Sequence, residues 1–280
     1  MSDPLVSTAW LAERMGAADL QILDATWFMP GDPRTGREAF VAGHIPGAVF
    51  FDIDGVADPA TDLPHMLPSA QAFAAAAGAL GLRRQATVVV YDGQGIFSAP
   101  RVWWTLRTMG FAKVQVLDGG LPKWRAEGRV VENQVADPVP TALEPAFEPT
   151  LVRDLNSVDD LLARRAAQVI DARPGPRFRA EVPEPRAGLR GGHMPGACNV
   201  PFGGVLQADG TMKSAAELRA VFEAEGIDLS APIVTTCGSG ISAAVLALAL
   251  ARLGREDVAV YDGSWAEWGG RADTPVVTGA

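Results

Sequence analysis

The chain has 280 residues, long for one ordinary domain and comfortable for two of about 100–150 residues each. Hydrophobic residues make up 48% and charged residues 20%, so each half can bury a core of its own, and disorder along most of the length is excluded. A net charge of −9 excludes a general nucleic-acid binder and a ligand of anionic membranes, both of which need a surplus of Lys and Arg.

In chain order, the start Met1-Ser2-Asp3-Pro4-Leu5 has neither the charged nor the apolar region of a signal peptide. Ile22-Leu23-Asp24-Ala25 reads as a strand end, and Gly43-His44-Ile45-Pro46-Gly47-Ala48 as a turn. The apolar run Thr87-Val88-Val89-Val90-Tyr91 reads as a strand buried on both faces, followed by a loop and a helix over 99–109. Residues 136–150 hold Pro138, Pro140, Pro145 and Pro149 without apolar periodicity, which predicts an extended connector. Beyond it, Ser214-Ala215-Ala216-Glu217 opens a helix with a capping-box pattern, and Pro232-Ile233-Val234-Thr235-Thr236 is a second buried strand. The helix expected over 243–253 is apolar, but it is too short to span a bilayer and is followed closely by Arg255.

These elements repeat. The turn at Gly43 returns as Gly192-His193-Met194-Pro195-Gly196-Ala197, and Ile22-Leu23-Asp24-Ala25 returns as Val169-Ile170-Asp171-Ala172. Asp118-Gly119-Gly120 matches Asp262-Gly263-Ser264, and Trp124 matches Trp268. The separations drift only slightly, from 149 (43 to 192) to 144 (124 to 268), so the chain is a tandem duplication. Its expected organisation is a first domain over 1–137, a linker over 138–150 and a second domain over 151–280. Strands alternating with helices predict an α/β fold in each domain, a parallel sheet flanked by helices on both faces. Ligands of such sheets bind at the carboxyl ends of the strands, here the loops after Tyr91 and Thr236.

The loop after Thr236 reads Cys237-Gly238-Ser239-Gly240-Ile241-Ser242, and a helix follows. A cysteine at a strand end, followed by small residues and a helix N-terminus, faces backbone N–H donors and the positive end of a helix dipole. That setting favours the thiolate, the nucleophilic form of cysteine. Cys198 lies beside an expected strand and reads as a core residue. Two cysteines provide no disulfide framework and suit a reducing, cytoplasmic compartment.

The duplicated unit, the paired His-x-Pro-Gly-Ala turns and the Cys-Gly-Ser-Gly-Ile-Ser loop resemble the rhodanese superfamily, and within it the mercaptopyruvate sulfurtransferases. The usual loop of that group ends in Val-Thr, where this chain has Ile241 and Ser242. The likeness extends over Phe50-Phe51-Asp52-Ile53-Asp54, Ser98-Ala99-Pro100-Arg101-Val102-Trp103-Trp104 and Tyr261-Asp262-Gly263-Ser264-Trp265. It implies two tandem rhodanese-like domains and transfer of sulfur from 3-mercaptopyruvate through a Cys237 persulfide to a thiol acceptor such as thioredoxin, or to cyanide. It also implies that Arg177 and Arg186 hold the donor's carboxylate and keto oxygen, and that residues 238–242 (Gly238, Ser239, Gly240, Ile241, Ser242) form the loop around the donor. Ser239, His65 and Asp54 match a proton-handling set. Asp92 stands where the first domain would carry its cysteine, 145 positions before Cys237, and a carboxylate cannot carry sulfane sulfur. The first domain is therefore expected to be catalytically silent and to cover the site of the second.

Arg173 and Arg179 have no such match and read as structural or surface groups, as does Asp171, which is expected to pair with an arginine. His44 and His193 sit in equivalent turns of both units, one of them beside the silent site, and read as structural. Three histidines and two cysteines show no metal-ligand spacing, and Gly93-Gln94-Gly95 is no dinucleotide fingerprint, so neither a metal nor another cofactor is expected. Three alternatives are weighed against a mercaptopyruvate enzyme. A cysteine phosphatase needs an arginine six residues after the cysteine, where this chain has Ala243. A thiosulfate sulfurtransferase resembles the chain overall but carries Arg-Lys in place of Gly238-Ser239. A non-enzymatic sulfur-carrier module needs no arginine pocket.

Overall fold

The computed structural model describes residues 3–279, which divide into two compact units of the same design. The first takes in residues up to Pro59, Leu67–Glu148 and Gln207–Met212. The second takes in Ala60–Met66, Pro149–Leu206 and residues from Lys213 onward. Each unit thus includes a short segment from the other half of the sequence.

The first unit runs β1 (Leu5–Val6), α1 (Thr8–Arg14), β2 (Leu20–Asp24), α2 (Gly36–Ala42), β3 (Ala48–Phe50), α3 (Ile53–Val56), α4 (Ala70–Ala79), β4 (Thr87–Tyr91), α5 (Ala99–Thr108), β5 (Val114–Leu117) and α6 (Gly120–Ala126). Its sheet is parallel in the order β1-β5-β4-β2-β3. Val88, Val89, Val90 and Tyr91 are all buried; since successive side chains point to opposite faces, both faces of the central strand are covered. Residues 133–148 have no regular structure and lie along the first unit. The Thr141 N–H donates to the Gly78 carbonyl (2.9 Å), and the Glu148 N–H donates to the Thr108 carbonyl (2.7 Å). Gly78 is required there, because a Cβ would stand 2.5 Å from the Thr141 carbonyl oxygen. The segment 207–212 closes as a turn, and its Met212 N–H donates to the Asp118 carboxylate at 2.8 Å.

The second unit repeats the plan as β6 (Val152–Arg153), α7 (Leu155–Arg164), β7 (Gln168–Asp171), α8 (Gly175–Phe178), β8 (Cys198–Asn199), α9 (Ala215–Ala224), β9 (Ile233–Thr236), α10 (Ile241–Arg252), β10 (Ala259–Tyr261) and α11 (Ser264–Trp268). Its order, β6-β10-β9-β7-β8, is the first unit's order over again. The helix expected from 243 begins two residues earlier, because Gly240 takes a left-handed φ of +80° and caps it. Apart from half-buried Ser242, α10 is buried from Ile241 to Ala251, as a helix apolar on all sides must be. The capping box at Ser214 and Glu217 is present.

The duplicated histidines hold the turns. Nδ1 of His44 is 2.8 Å from the Phe40 carbonyl and Nδ1 of His193 is 2.9 Å from that of Phe178, and each ring stacks on that phenylalanine. Both are buried, which supports the structural role expected of them. Among the described residues no helix is long and apolar enough to cross a membrane.

Candidate active site

The first unit shows what the loop between central strand and helix does in this fold. Asp92 follows β4 and is fully buried. One of its carboxylate oxygens accepts the N–H groups of Phe97 (2.8 Å), Ser98 (2.9 Å) and Ala99 (2.8 Å), and the other accepts that of Gln94 (2.8 Å). Four backbone donors, three of them leading into α5, thus hold one carboxylate side chain.

Cys237 occupies the same place after β9, 1% exposed. Its N–H donates to the Ser264 hydroxyl (3.3 Å), which itself donates to the Tyr261 carbonyl (2.8 Å). Ser264 is fully buried with a φ of +50°, a left-handed setting uncommon outside glycine; its counterpart in the first unit is Gly120. The carbonyls of Cys237 and Gly238 accept the N–H groups of Trp265 (2.9 Å) and Ala266 (2.8 Å) at the start of α11. The N–H groups of Gly238, Ser239 and Gly240 meet no backbone acceptor among the described residues. With the carbonyls tied back and the amides open, the loop is built to receive an anion.

The arginine segment lies against this loop. A Cβ on Gly238 would stand 3.1 Å from a terminal nitrogen of Arg177. Arg177, on α8, grips Glu184 through Nε (3.2 Å) and through that same nitrogen. Glu184 accepts Arg173 on one of its oxygens at 2.9 Å, and Arg173 pairs with both oxygens of Asp171 at the end of β7. Arg173 also donates to the Gly192 carbonyl (2.8 Å) and lies over the Trp265 ring, 4.2 Å from its centroid. Asp171 and Arg173 are thus buried structural partners, and Arg179 makes an exposed pair with Glu181. Behind Arg186 and Glu184 a cavity of about 610 Å³ opens among residues 180–191, with Cys237 outside its lining.

His65 belongs to the second unit although it precedes the linker, since the segment 60–66 packs there. Its φ is +64°, and the side chain is buried. A terminal Arg186 nitrogen lies 3.4 Å from its Nε2. Guanidinium only donates, so in this contact Nε2 stands as the acceptor. Asp54, on α3 of the first unit, accepts the Trp27 indole N–H at 2.8 Å. Cys198 on β8 is half-buried, and burial together with Glu225 pushes its thiol pKa up. It lies on a different strand from the loop of Cys237. Glu184 and Ser264 thus have structural roles beyond those expected from the sequence. Only Arg173 and Arg177 of the four arginines in this segment bond Glu184.

Two α/β units of one design, each built on a parallel sheet and the second carrying a cysteine on its strand-end loop, have the architecture of a tandem rhodanese. The rhodanese-like domain model matches residues 7–127 and 154–271, and the chain belongs to that family. It is 46% identical over 274 residues to the 3-mercaptopyruvate sulfurtransferase of Escherichia coli K12, covering 97% of this chain and 96% of that one. It is 44% identical over 296 residues to the mitochondrial thiosulfate/3-mercaptopyruvate sulfurtransferase 1 of Arabidopsis thaliana, covering 98% of this chain and 78% of the relative. The crystal structure of SseA from E. coli, described under the rhodanese fold of 3-mercaptopyruvate sulfotransferases, superimposes with a TM-score of 0.87. It is 42% identical, with 94% of this chain and 99% of that one covered.

Proposed function

We propose that this chain is a sulfurtransferase that takes the sulfur of 3-mercaptopyruvate onto Cys237. The observation that carries the reading is that Cys237 stands in the second unit where Asp92 stands in the first. The same loop that holds a carboxylate on four amides in the first unit carries a cysteine in the second, a setting for a thiolate and then a persulfide anion.

The Cys237 thiolate attacks the donor's sulfur, an S–S bond forms, the C–S bond breaks, and its electrons leave as the enolate of pyruvate. A proton delivered to the enolate carbon completes pyruvate. An acceptor thiolate, such as that of a thioredoxin, or cyanide then attacks the outer sulfur and releases Cys237 as thiolate. Arg177 and Arg186 suit the donor's carboxylate and keto oxygen, because a guanidinium fork matches planar oxygens. His65, with its left-handed backbone and its contact to Arg186, and Ser239, buried in the loop, are the groups we assign to the proton, and Asp54 joins that set on the family resemblance alone. The first unit is silent, its anion site filled by its own Asp92. We divide the chain accordingly, with domains at 1–137 and 151–280 and a linker between. Both cysteines are free, as a thiol catalyst in the cytoplasm requires.

The second reading, thiosulfate as donor, is favoured by the Arabidopsis relative's name, which joins the two donors. Measuring kcat/KM for both donors on one preparation decides between them. Loading with mercaptopyruvate should add the mass of one sulfur atom at Cys237, and cyanide should remove it. A protein that gains no sulfur from either donor would overturn both readings.

A further inference from the structure

The arginine that faces the cysteine loop does not stand alone. Asp171, Arg173, Glu184 and Arg177 alternate in charge, and each touches the next. The first three side chains are 2% exposed or less, whereas Arg177 is 17% exposed, so the row ends on the more exposed of its two arginines. Its inner members are fixed from several sides. Asp171 ends a strand, and Arg173 is bonded to the Gly192 carbonyl and laid on the Trp265 ring. Glu184 therefore presents a rigid carboxylate to Arg177.

The geometry of that grip is selective. Glu184 takes the Nε edge of Arg177, using Nε and one terminal nitrogen. A guanidinium has five N–H donors, so the edge made by the two terminal nitrogens keeps donors for another planar anion. The gripped terminal nitrogen is also the one against Gly238, where a Cβ would come within 3.1 Å. Without Glu184, the long arginine side chain regains its rotamers and the fork must be ordered by the donor itself.

We infer that Glu184 is a positioning residue for donor binding, acting through Arg177 by holding its fork edge-on to the loop of Cys237. The inference rests on the reading of Arg177 as the donor-carboxylate contact. Its test is a double-mutant cycle in the full chain, with mercaptopyruvate as donor, among native, Glu184→Gln, Arg177→Ala and the double variant. Glu184→Gln raises KM about tenfold, the scale of one charge-assisted contact, with kcat within about twofold. In the Arg177→Ala background the same change moves KM by less than about twofold. If Gln unfolds the protein, Glu184→Asp keeps the charge beside Arg173 but shortens the reach, and its KM effect must likewise vanish once Arg177 is gone. Additive KM effects, or none from Glu184, overturn the inference. An Arg177→Ala variant with native KM would instead overturn the donor-binding reading on which it rests.

Discussion

Replacing the sulfur of Cys237 by oxygen is the smallest change that separates chemistry from packing. Cys237→Ser should lower turnover by about 10⁴-fold or more while the melting temperature holds, because the loop's bonds run through the backbone. Cys198→Ser, on another strand, should keep most activity under the same assay. Arg177→Ala and Arg186→Ala should chiefly raise KM, each by roughly tenfold to a hundredfold, since a charge-assisted contact is worth about 1.5–3 kcal/mol. The contact between His65 and Arg186 sharpens a further expectation. If His65 handles the proton for the enolate, His65→Ala lowers kcat on mercaptopyruvate and spares thiosulfate, which releases sulfite and needs no such proton. If His65 only steadies Arg186, KM rises instead, so the split between the two constants decides. Gly238 carries its own constraint. Gly238→Ala places a methyl 3.1 Å from the Arg177 guanidinium and should raise KM severalfold with little change in kcat, as steady-state kinetics will show. The Arg-Lys loop of the thiosulfate enzymes would add a like charge at that same approach.

At the scale of the element, the two copies of the strand-end carboxylate make an internal control. Asp171 at the end of β7 is neutralised by Arg173, whereas Asp24 at the end of β2 has Thr26 two residues on in place of an arginine. Burial raises the pKa of Asp24, against the lowering effect of its contacts with Thr26 and Tyr91. A raised folded-state pKa means that the native protein binds the proton more tightly than the unfolded chain does. This contribution is present below the unfolded value, about 3.9, and is lost as pH rises through the folded value. Asp24→Asn should therefore raise the melting temperature at pH 7 more than at pH 4.5, as calorimetry at the two values can show. The strands and the helix after Cys237 were legible in the sequence because buried apolar runs and loop glycines leave local marks. Turns were legible because they occur twice. The Glu184 grip was not, since it depends on the short helix α8 folding Arg177 back onto a residue seven positions on. The left-handed φ of Ser264 left its one mark in the repeat, where the equivalent residue is Gly120 with nearly the same φ.

At the scale of the molecule, the contiguous halves of the sequence and the compact units of the structure differ by two short segments. Neither segment has periodicity or composition to betray where it packs. The segment 60–66 brings His65 to Arg186, and the segment 207–212 brings the Met212 N–H to Asp118. Residues 149–280 produced alone should therefore fail to turn over mercaptopyruvate, and co-expression with residues 1–148 should restore turnover. Native kcat in the isolated half would show the borrowed segment to be dispensable. The exchange also bears on how such a gene can change. A freshly duplicated gene can shed either copy at no cost, since each encodes a complete product. Once each half encodes a stretch on which the other half's product is built, deletion of one copy damages the survivor, and inheritance must pass the two on together.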